Sequence, residues 1–296
     1  MDGGRSIPDV QSGRLDNGFR LTKVGVTGVL KPVKIARPNK VATLTATFDV
    51  FVDLPWDQRG AHLSRNLEAI GEIVDEGVRN PVHSLEDLAA RISVKLLEKH
   101  DYATNGEVWA KADYFLEKVT PMGRTSLESY KLVARANAHR RGRIEVRKSV
   151  GIEAVGMTAC PCAMETIREE NPAYASLKGI PIITHNQRNR TSLVVEEPEG
   201  FDIEADDLIG IVESSVSAPT FEVLKRPDEA RLVEAAHARP RFVEDVVREV
   251  LGRVLQKYRD LPDDVLVKVK SDSEESIHKH DAVAERVATL GELRAT

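Results

Sequence analysis

Cys160 and Cys162 flank a single proline in Thr158-Ala159-Cys160-Pro161-Cys162, and they are the only two cysteines of the chain. A thiolate at such a place binds a divalent metal or attacks carbon. An isolated cysteine is more often a buried, inert thiol, so the sulfur takes its meaning from its candidate partners. His185 stands in Thr184-His185-Asn186-Gln187-Arg188, and His278 and His280 in Ser273-Glu274-Glu275-Ser276-Ile277-His278-Lys279-His280. All three imidazoles are flanked by polar residues rather than apolar stripes. In an extended segment His278 and His280 would point the same way, because side chains alternate with period two. Each alone reads more simply as a structural or exposed histidine. Together with a cysteine they support a metal or acid–base site. The spacing matches no zinc finger, so an open catalytic site is favoured over a closed structural one.

Two carboxylates and a basic set surround this group in the sequence. Glu229, in Lys225-Arg226-Pro227-Asp228-Glu229, follows a proline in a basic turn and is a candidate third metal ligand. Its simpler reading is a surface ion pair with Lys225 or Arg226. Glu244, in Phe242-Val243-Glu244-Asp245, opens a long helical pattern. There it either complements the helix N-terminus or accepts two N–H bonds from a guanine edge, a contact that rejects wrong bases strongly. Arg188, Arg190, Lys225 and Arg226, with Arg59 and Arg65 further upstream, suit phosphate oxygens, although each alone reads more simply as a solvated surface charge. No glycine-rich phosphate loop is present in the sequence.

The 296 residues are 41% hydrophobic and carry a formal net charge of -5. That composition supports one large core or two medium ones and argues against a grip on long nucleic acid. Cysteines this close together make no relaxed disulfide, which points to a reducing compartment. The sequence shows no leader-like segment and no apolar run of membrane-span length, so a soluble, cytoplasmic protein is expected.

The elements that must position these residues follow from periodicity. Leu44, Ala46, Phe48, Val50, Val52 and Leu54 alternate with polar residues, predicting a strand over 44–54. Leu63, Leu67, Ile70 and Val74 form one helical stripe. Leu85, Leu88, Ile92 and Leu96 form another, begun by Ser84 with Asp87 in a capping-box pattern. Two strands follow around Val108–Tyr114 and Tyr130–Ala136. A second half then repeats the order: strands through Ile144 and through Leu193, helices through Leu208 and Val243–Leu255, and a closing strand at Val265–Val269. The expected order β-β-α-α-β-β occurs twice, with a flexible arm over 1–23, one unit over 24–141 and a second, bearing the site, over 142–296. Such an α+β chain makes antiparallel sheets with paired helices on one face. Their open edges are removed by closing into barrels across subunits, so an oligomer is expected.

Leu54-Pro55-x-Asp57-Gln58-Arg59-Gly60-x-His62-x-Ser64-Arg65, Cys160-Pro161-Cys162, His185-Asn186-Gln187-Arg188, Lys225-Arg226-Pro227-Asp228-Glu229, Phe242-Val243-Glu244-Asp245 and Glu275-Ser276-Ile277-His278-x-His280 occur in one order over about residues 24 to 285. Together they resemble the GTP cyclohydrolase IB family. The resemblance implies tandem tunnelling-fold units in a homotetramer with sites at subunit interfaces. It implies Cys160 as the catalytic cysteine, with Cys160, His185 and Glu229 around a divalent metal. It places Glu244 on the purine, and Glu275, His278 and His280 among the remaining catalytic residues. Arg188, Lys225, Arg226, Arg59, His62 and Arg65 are then left for the rest of the substrate.

The long segment between Cys160 and His185 is similar to the archaeal, MptA-like branch. That branch uses iron(II), though zinc or manganese suit the same ligands. It makes 7,8-dihydroneopterin 2',3'-cyclic phosphate for methanopterin-type cofactors, where the bacterial branch makes the triphosphate for folate. The implied activity is hydrolysis of GTP at C8 with formate release, by an enzyme acting on a cyclic amidine. Two other readings stand beside it: a tunnelling-fold nitrile reductase with Cys160 as nucleophile, and a non-catalytic purine-nucleotide binder.

Overall fold

The computed structural model describes residues 10–11, 13, 17–37, 40–176, 179–198 and 200–295. Most of the arm expected over 1–23 lies outside them. In chain order the elements are β1 (Leu21–Arg37), β2 (Lys40–Leu54), α1 (Leu63–Arg79), α2 (Leu85–Lys99), β3 (Asn105–Val119), β4 (Thr125–Arg141), β5 (Arg143–Ala159), α3 (Pro161–Glu170), β6 (Asn186–Glu197), α4 (Ala205–Glu213), β7 (Ala218–Pro219), α5 (Arg226–Ala238), α6 (Val243–Lys257), β8 (Leu266–Glu274), β9 (Ala282–Thr289) and α7 (Leu290–Arg294). No helix among the described residues is long and apolar enough to cross a membrane.

The chain forms two compact units that do not follow chain order. One comprises Met1–Ala112 with Ala134–Ser149, the other Asp113–Val133 with Val150–Thr296. The cause is strand length: β3, β4 and β5 run 15 to 17 residues each, and every one gives part of its length to each unit.

In the first unit the strands neighbour one another in the order β1-β2-β3-β4-β5, and β2 pairs antiparallel with both β1 and β3. The alternation read from the sequence is the one observed: Leu44, Ala46, Phe48, Val50, Val52 and Leu54 are all buried. Ala69, Ile70 and Val74 of α1, which packs on β1 and α2, and Leu85, Leu88, Ile92 and Leu96 of α2, which reaches β2, are buried with them. Each large side chain moved from water to this core contributes about 1.5–3 kcal/mol. Ser84 starts α2 as its sequence suggests, its Oγ accepting the Asp87 N–H at 3.1 Å.

In the second unit the order is β3-β4-β5-β6-β8-β9, with β7 beside β5. The pairs β6–β8 and β8–β9 are antiparallel. Helix α6 lays Val246, Val250 and Val254 toward β8 and β9, whose neighbours Leu193 and Val195 on β6 pair with Val269 and Val267.

The expected double β-β-α-α-β-β order holds in the first half. The second half is richer, with α3 between β5 and β6 and a third helix, α5, between the two expected ones. The stretch Lys225–Glu229, read as a turn, is the start of α5. Its apolar face is only Leu232 and Ala236, too sparse to make a stripe. The start signal was present in Pro227 and in Asp228, whose Oδ2 accepts the Lys225 N–H at 3.2 Å. Strand β9 was missed because its valines face outward and its buried side is mostly alanine.

Candidate active site

β5 ends at Ala159, and Cys160 caps α3 with Pro161 at the first helical position. The Cys160 Sγ accepts the Ala163 N–H at 3.5 Å, so the sulfur sits on the open N–H groups of a helix start. Its backbone is held on both sides. The Cys160 N–H donates to the His185 carbonyl at 3.0 Å, and the Thr184 hydroxyl donates to the Cys160 carbonyl at 2.8 Å. Two residues far apart in sequence are thereby fixed side by side.

His185 is itself oriented. Its Nδ1 lies 3.0 Å from Gln187 Oε1 and 3.7 Å from Glu275 Oε2. Gln187 Nε2 donates to Glu275 Oε1 at 3.1 Å, which turns the Gln187 carbonyl toward the imidazole. A proton on Nδ1 satisfies that carbonyl and leaves Nε2 as the nitrogen open to a ligand. Metal-binding histidines are oriented in the same way, by a hydrogen bond from the ring nitrogen that does not hold the metal. The His185 ring meets the His278 ring edge-on at 6.2 Å, and His278 stacks on His280 at 5.2 Å with 17° between planes. The segment carrying them is irregular rather than extended, so it is the turn and not strand alternation that brings the two rings together.

Sequence reasoning missed two supports. His237, buried at the end of α5, sets Nε2 3.1 Å from the Thr184 carbonyl and Nδ1 2.9 Å from the Val233 carbonyl, tying α5 to the segment that carries His185. The backbone N–H of Arg241 donates to the Ala159 carbonyl at 2.9 Å, which ties the start of α6 to the residue before Cys160. Glu244 lies exposed in that first turn of α6, while Asp245 supplies the cap to the Phe242 N–H at 3.0 Å.

Other candidate residues are dispersed. Glu229 is exposed in the first turn of α5, its N–H donating to the Lys225 carbonyl. Among the described residues no three histidine, cysteine or acidic side chains converge closely enough to hold a metal ion. The donor chemistry of Cys160 and His185 fits a borderline-soft divalent cation, whereas Glu229 is not gathered to them. Arg188, Lys225 and Arg226 are exposed on β6 and at the start of α5.

Arg59, His62 and Arg65 belong to the first unit, around the N-terminus of α1, where Arg65 Nη1 donates to the Lys99 carbonyl at 3.1 Å. Beneath them is a buried group that sequence reasoning did not find. His100 places Nε2 2.6 Å from Asn66 Oδ1 and Nδ1 2.7 Å from the Tyr102 hydroxyl. Burial, then the charges of Arg65 and His62, push the His100 imidazole down to about 4. The Tyr102 oxygen is also bonded to the His62 backbone and to the Gln58 side chain, and burial raises its phenol. No periodicity marks these residues, since each is a single polar side chain inside a helix or at its end.

The architecture is α+β and built on the plan of uricase. The uricase of Arthrobacter globiformis superposes with a TM-score of 0.54 at 11% identity, covering 90% of this chain and 93% of that one. A hyper-thermostable mutant of the enzyme gives 0.55 at 10% identity, with 90% and 91% covered. At such identity the likeness shows the fold alone. Sequence carries the rest. Residues 7–284 match the model of the family described as type I GTP cyclohydrolase folE2. The chain is 43% identical to GTP cyclohydrolase MptA 2 of Methanocella arvoryzae, covering 97% of this chain and 98% of that protein. It is 45% identical to GTP cyclohydrolase MptA of Methanothermobacter thermautotrophicus, covering 97% and 95%. This chain belongs to the type I GTP cyclohydrolase folE2 family, and it is an enzyme.

Proposed function

We propose that the chain is a metal-dependent GTP cyclohydrolase of the IB, MptA-like kind. It hydrolyses C8 of GTP, releases formate and yields a 7,8-dihydroneopterin phosphate, the 2',3'-cyclic phosphate, for tetrahydromethanopterin-type pterin biosynthesis. The observation that carries this reading is the Cys160–His185 bracket, with His185 aimed by Gln187 and Glu275 and flanked by His278.

Cys160 and His185 would hold a divalent cation, iron(II) by family likeness; Glu229, the third donor that likeness implies, stands exposed on α5 and is not gathered to them within one chain. When bound, such a cation supplies hydroxide at neutral pH by lowering the pKa of its water to about 7. The protein's own groups do the rest. Glu275, through Gln187, fixes the His185 ring. His278 and His280, stacked beside it, carry protons to the ring nitrogens as the imidazole of the purine opens. Glu244 grips the guanine edge. Arg188, Lys225 and Arg226, with Arg59, His62 and Arg65, hold the phosphates, some of them from a neighbouring subunit. The same reading makes the protein a cytoplasmic homotetramer with barrels closed across subunits; exposed apolar Leu30 on edge strand β1 and Val283 and Val287 on edge strand β9 support it.

Anaerobic incubation with GTP and iron(II), manganese or zinc in turn, with formate assay and mass identification of the pterin, tests the proposal. Formate with the cyclic phosphate supports it. GTP binding without formate under any of the three metals defeats it.

A further inference from the structure

The core face of the second unit changes character as it approaches the site. On β6 the buried side chains run Val195, Leu193, Thr191, Asn189, Gln187, and on β8 they run Val267, Val269, Ser271, Ser273. The apolar ends face each other, Val195 on Val267 and Leu193 on Val269. The polar ends do the same, Thr191 on Ser271 and Asn189 on Ser273. Thr191, Asn189 and Ser271 are wholly buried and Ser273 is 1% exposed, at positions where valine or leucine is accommodated one pair earlier.

Burying hydroxyls and an amide costs stability unless every group is paired, and here they are paired. Asn189 Nδ2 donates to Ser271 Oγ at 2.8 Å and to Ser273 Oγ at 3.0 Å. Its Oδ1 accepts from Thr191 Oγ1 at 2.7 Å and lies 3.2 Å from Ser271 Oγ. Thr191 and Ser271 hydroxyls are 3.0 Å apart, and Thr158 on β5 reaches Ser273 at 3.2 Å. Two residues beyond the strip toward the strand ends stand site residues: Gln187 on β6 before Asn189, on the same face, and, just past the ends of β5 and β8, Cys160 after Thr158 and Glu275 after Ser273.

We propose that the strip Thr158–Asn189–Thr191–Ser271–Ser273 is a register lock for the site, with Asn189 as its central positioning residue. It rests on the reading of Cys160, His185 and Glu275 given above. The buried apolar pairs already set which residues oppose each other, and a saturated amide between two serines adds a directional constraint on their side-chain offset that apolar contacts lack. That offset sets Gln187 against Glu275, and so aims His185. Asn189 touches no substrate in this account, so its loss acts on turnover rather than on GTP binding.

The test compares apolar isosteres with hydroxyl-keeping variants in the metal-loaded full chain. The triple variant Asn189→Leu, Thr191→Val, Ser271→Ala should fold with an unchanged or higher thermal midpoint. It should lose at least about tenfold in kcat for formate release while KM for GTP stays within about twofold. Thr191→Ser should keep kcat within about twofold, and Thr191→Val should lose about three- to tenfold. A folded triple variant with unchanged kcat overturns the lock. If the triple variant does not fold, equal kcat in Thr191→Ser and Thr191→Val overturns it instead. Cys160→Ala, run alongside, separates the two proposals: formate release by that variant would sink the site reading itself.

Discussion

The Cys160 N–H and the His185 carbonyl lie 3.0 Å apart, and the Thr184 hydroxyl closes the same bracket on the Cys160 carbonyl. A thiol at a helix start and an imidazole at a strand start are thus held by main chain as well as by side chains. Main-chain bonds survive side-chain substitution, so mutants at either position report on chemistry rather than on collapse of the site.

Cys160→Ala should therefore abolish formate release while moving the thermal midpoint by only a few degrees. The weak Sγ acceptor at the start of α3 is worth less than an ordinary cap, which costs about 1 kcal/mol to remove. Cys162→Ala, two residues on in the first turn of α3 and exposed, should keep kcat within about twofold. Paired formate assays and thermal melts check both, and a fully active Cys160→Ala refutes the assignment.

Glu275 does not face the solvent freely; with Gln187 it sets the plane of the His185 ring. Removing such a support around a metal-binding histidine lowers metal affinity or activity by about 10- to 100-fold. Glu275→Ala should fall in that range, and Gln187→Leu should follow it, because either change leaves His185 Nδ1 with one partner fewer. Metal titration followed by formate assay at saturating metal would separate loss of affinity from loss of turnover. Wild-type values on both counts for Glu275→Ala would exclude the orienting role.

How much of this was legible beforehand differs residue by residue. The β2 stripe from Leu44 to Leu54 could be read because a strand buried on one face must alternate. Cys160 and His185 could be read as candidate partners from their residue types, and more firmly from the joint order of motifs, but nothing in either segment encodes the bond between them. The contact of Gln187 with Glu275 depends on the β6–β8 register, which becomes visible only when Arg188 is seen opposite Glu274. Helix α5 was hidden by its two-residue apolar face, although Pro227 and Asp228 announced its start. His100 was hidden because its burial depends on Asn66 arriving from α1, 34 residues earlier, although Tyr102 stands two residues on.

Glu244 is exposed on the first turn of α6, where it caps nothing, since Asp245 holds the Phe242 N–H. A carboxylate left out of the capping role at a helix start tied to Ala159 suits a ligand contact. Glu244→Ala should raise KM for GTP by about ten- to a hundredfold, the cost of a lost charged hydrogen-bond pair of about 1.5–3 kcal/mol. Metal content and thermal midpoint should not change. Equilibrium binding of GTP to metal-free protein checks the effect apart from turnover, and unaltered affinity would remove Glu244 from the purine site.

His100 gives the first unit a pH dependence of its own. Burial, and then Arg65 and His62, hold its folded pKa at about 4, below the ordinary 6.5. The neutral ring bridges Asn66 and Tyr102, while the unfolded chain takes up the proton more readily. Stability is therefore complete above about pH 6.5 and declines as pH falls toward 4, with one extra proton bound by the unfolded state across that window. The full loss is on the order of 3 kcal/mol, from about 1.4 kcal/mol per pKa unit. His100→Gln cannot titrate, so its thermal midpoint, lower than wild type at pH 7.5, should fall less steeply between pH 6.5 and 4, bringing the two curves together at the acid end. Parallel curves across that window would mean that His100 does not remain neutral in the folded protein.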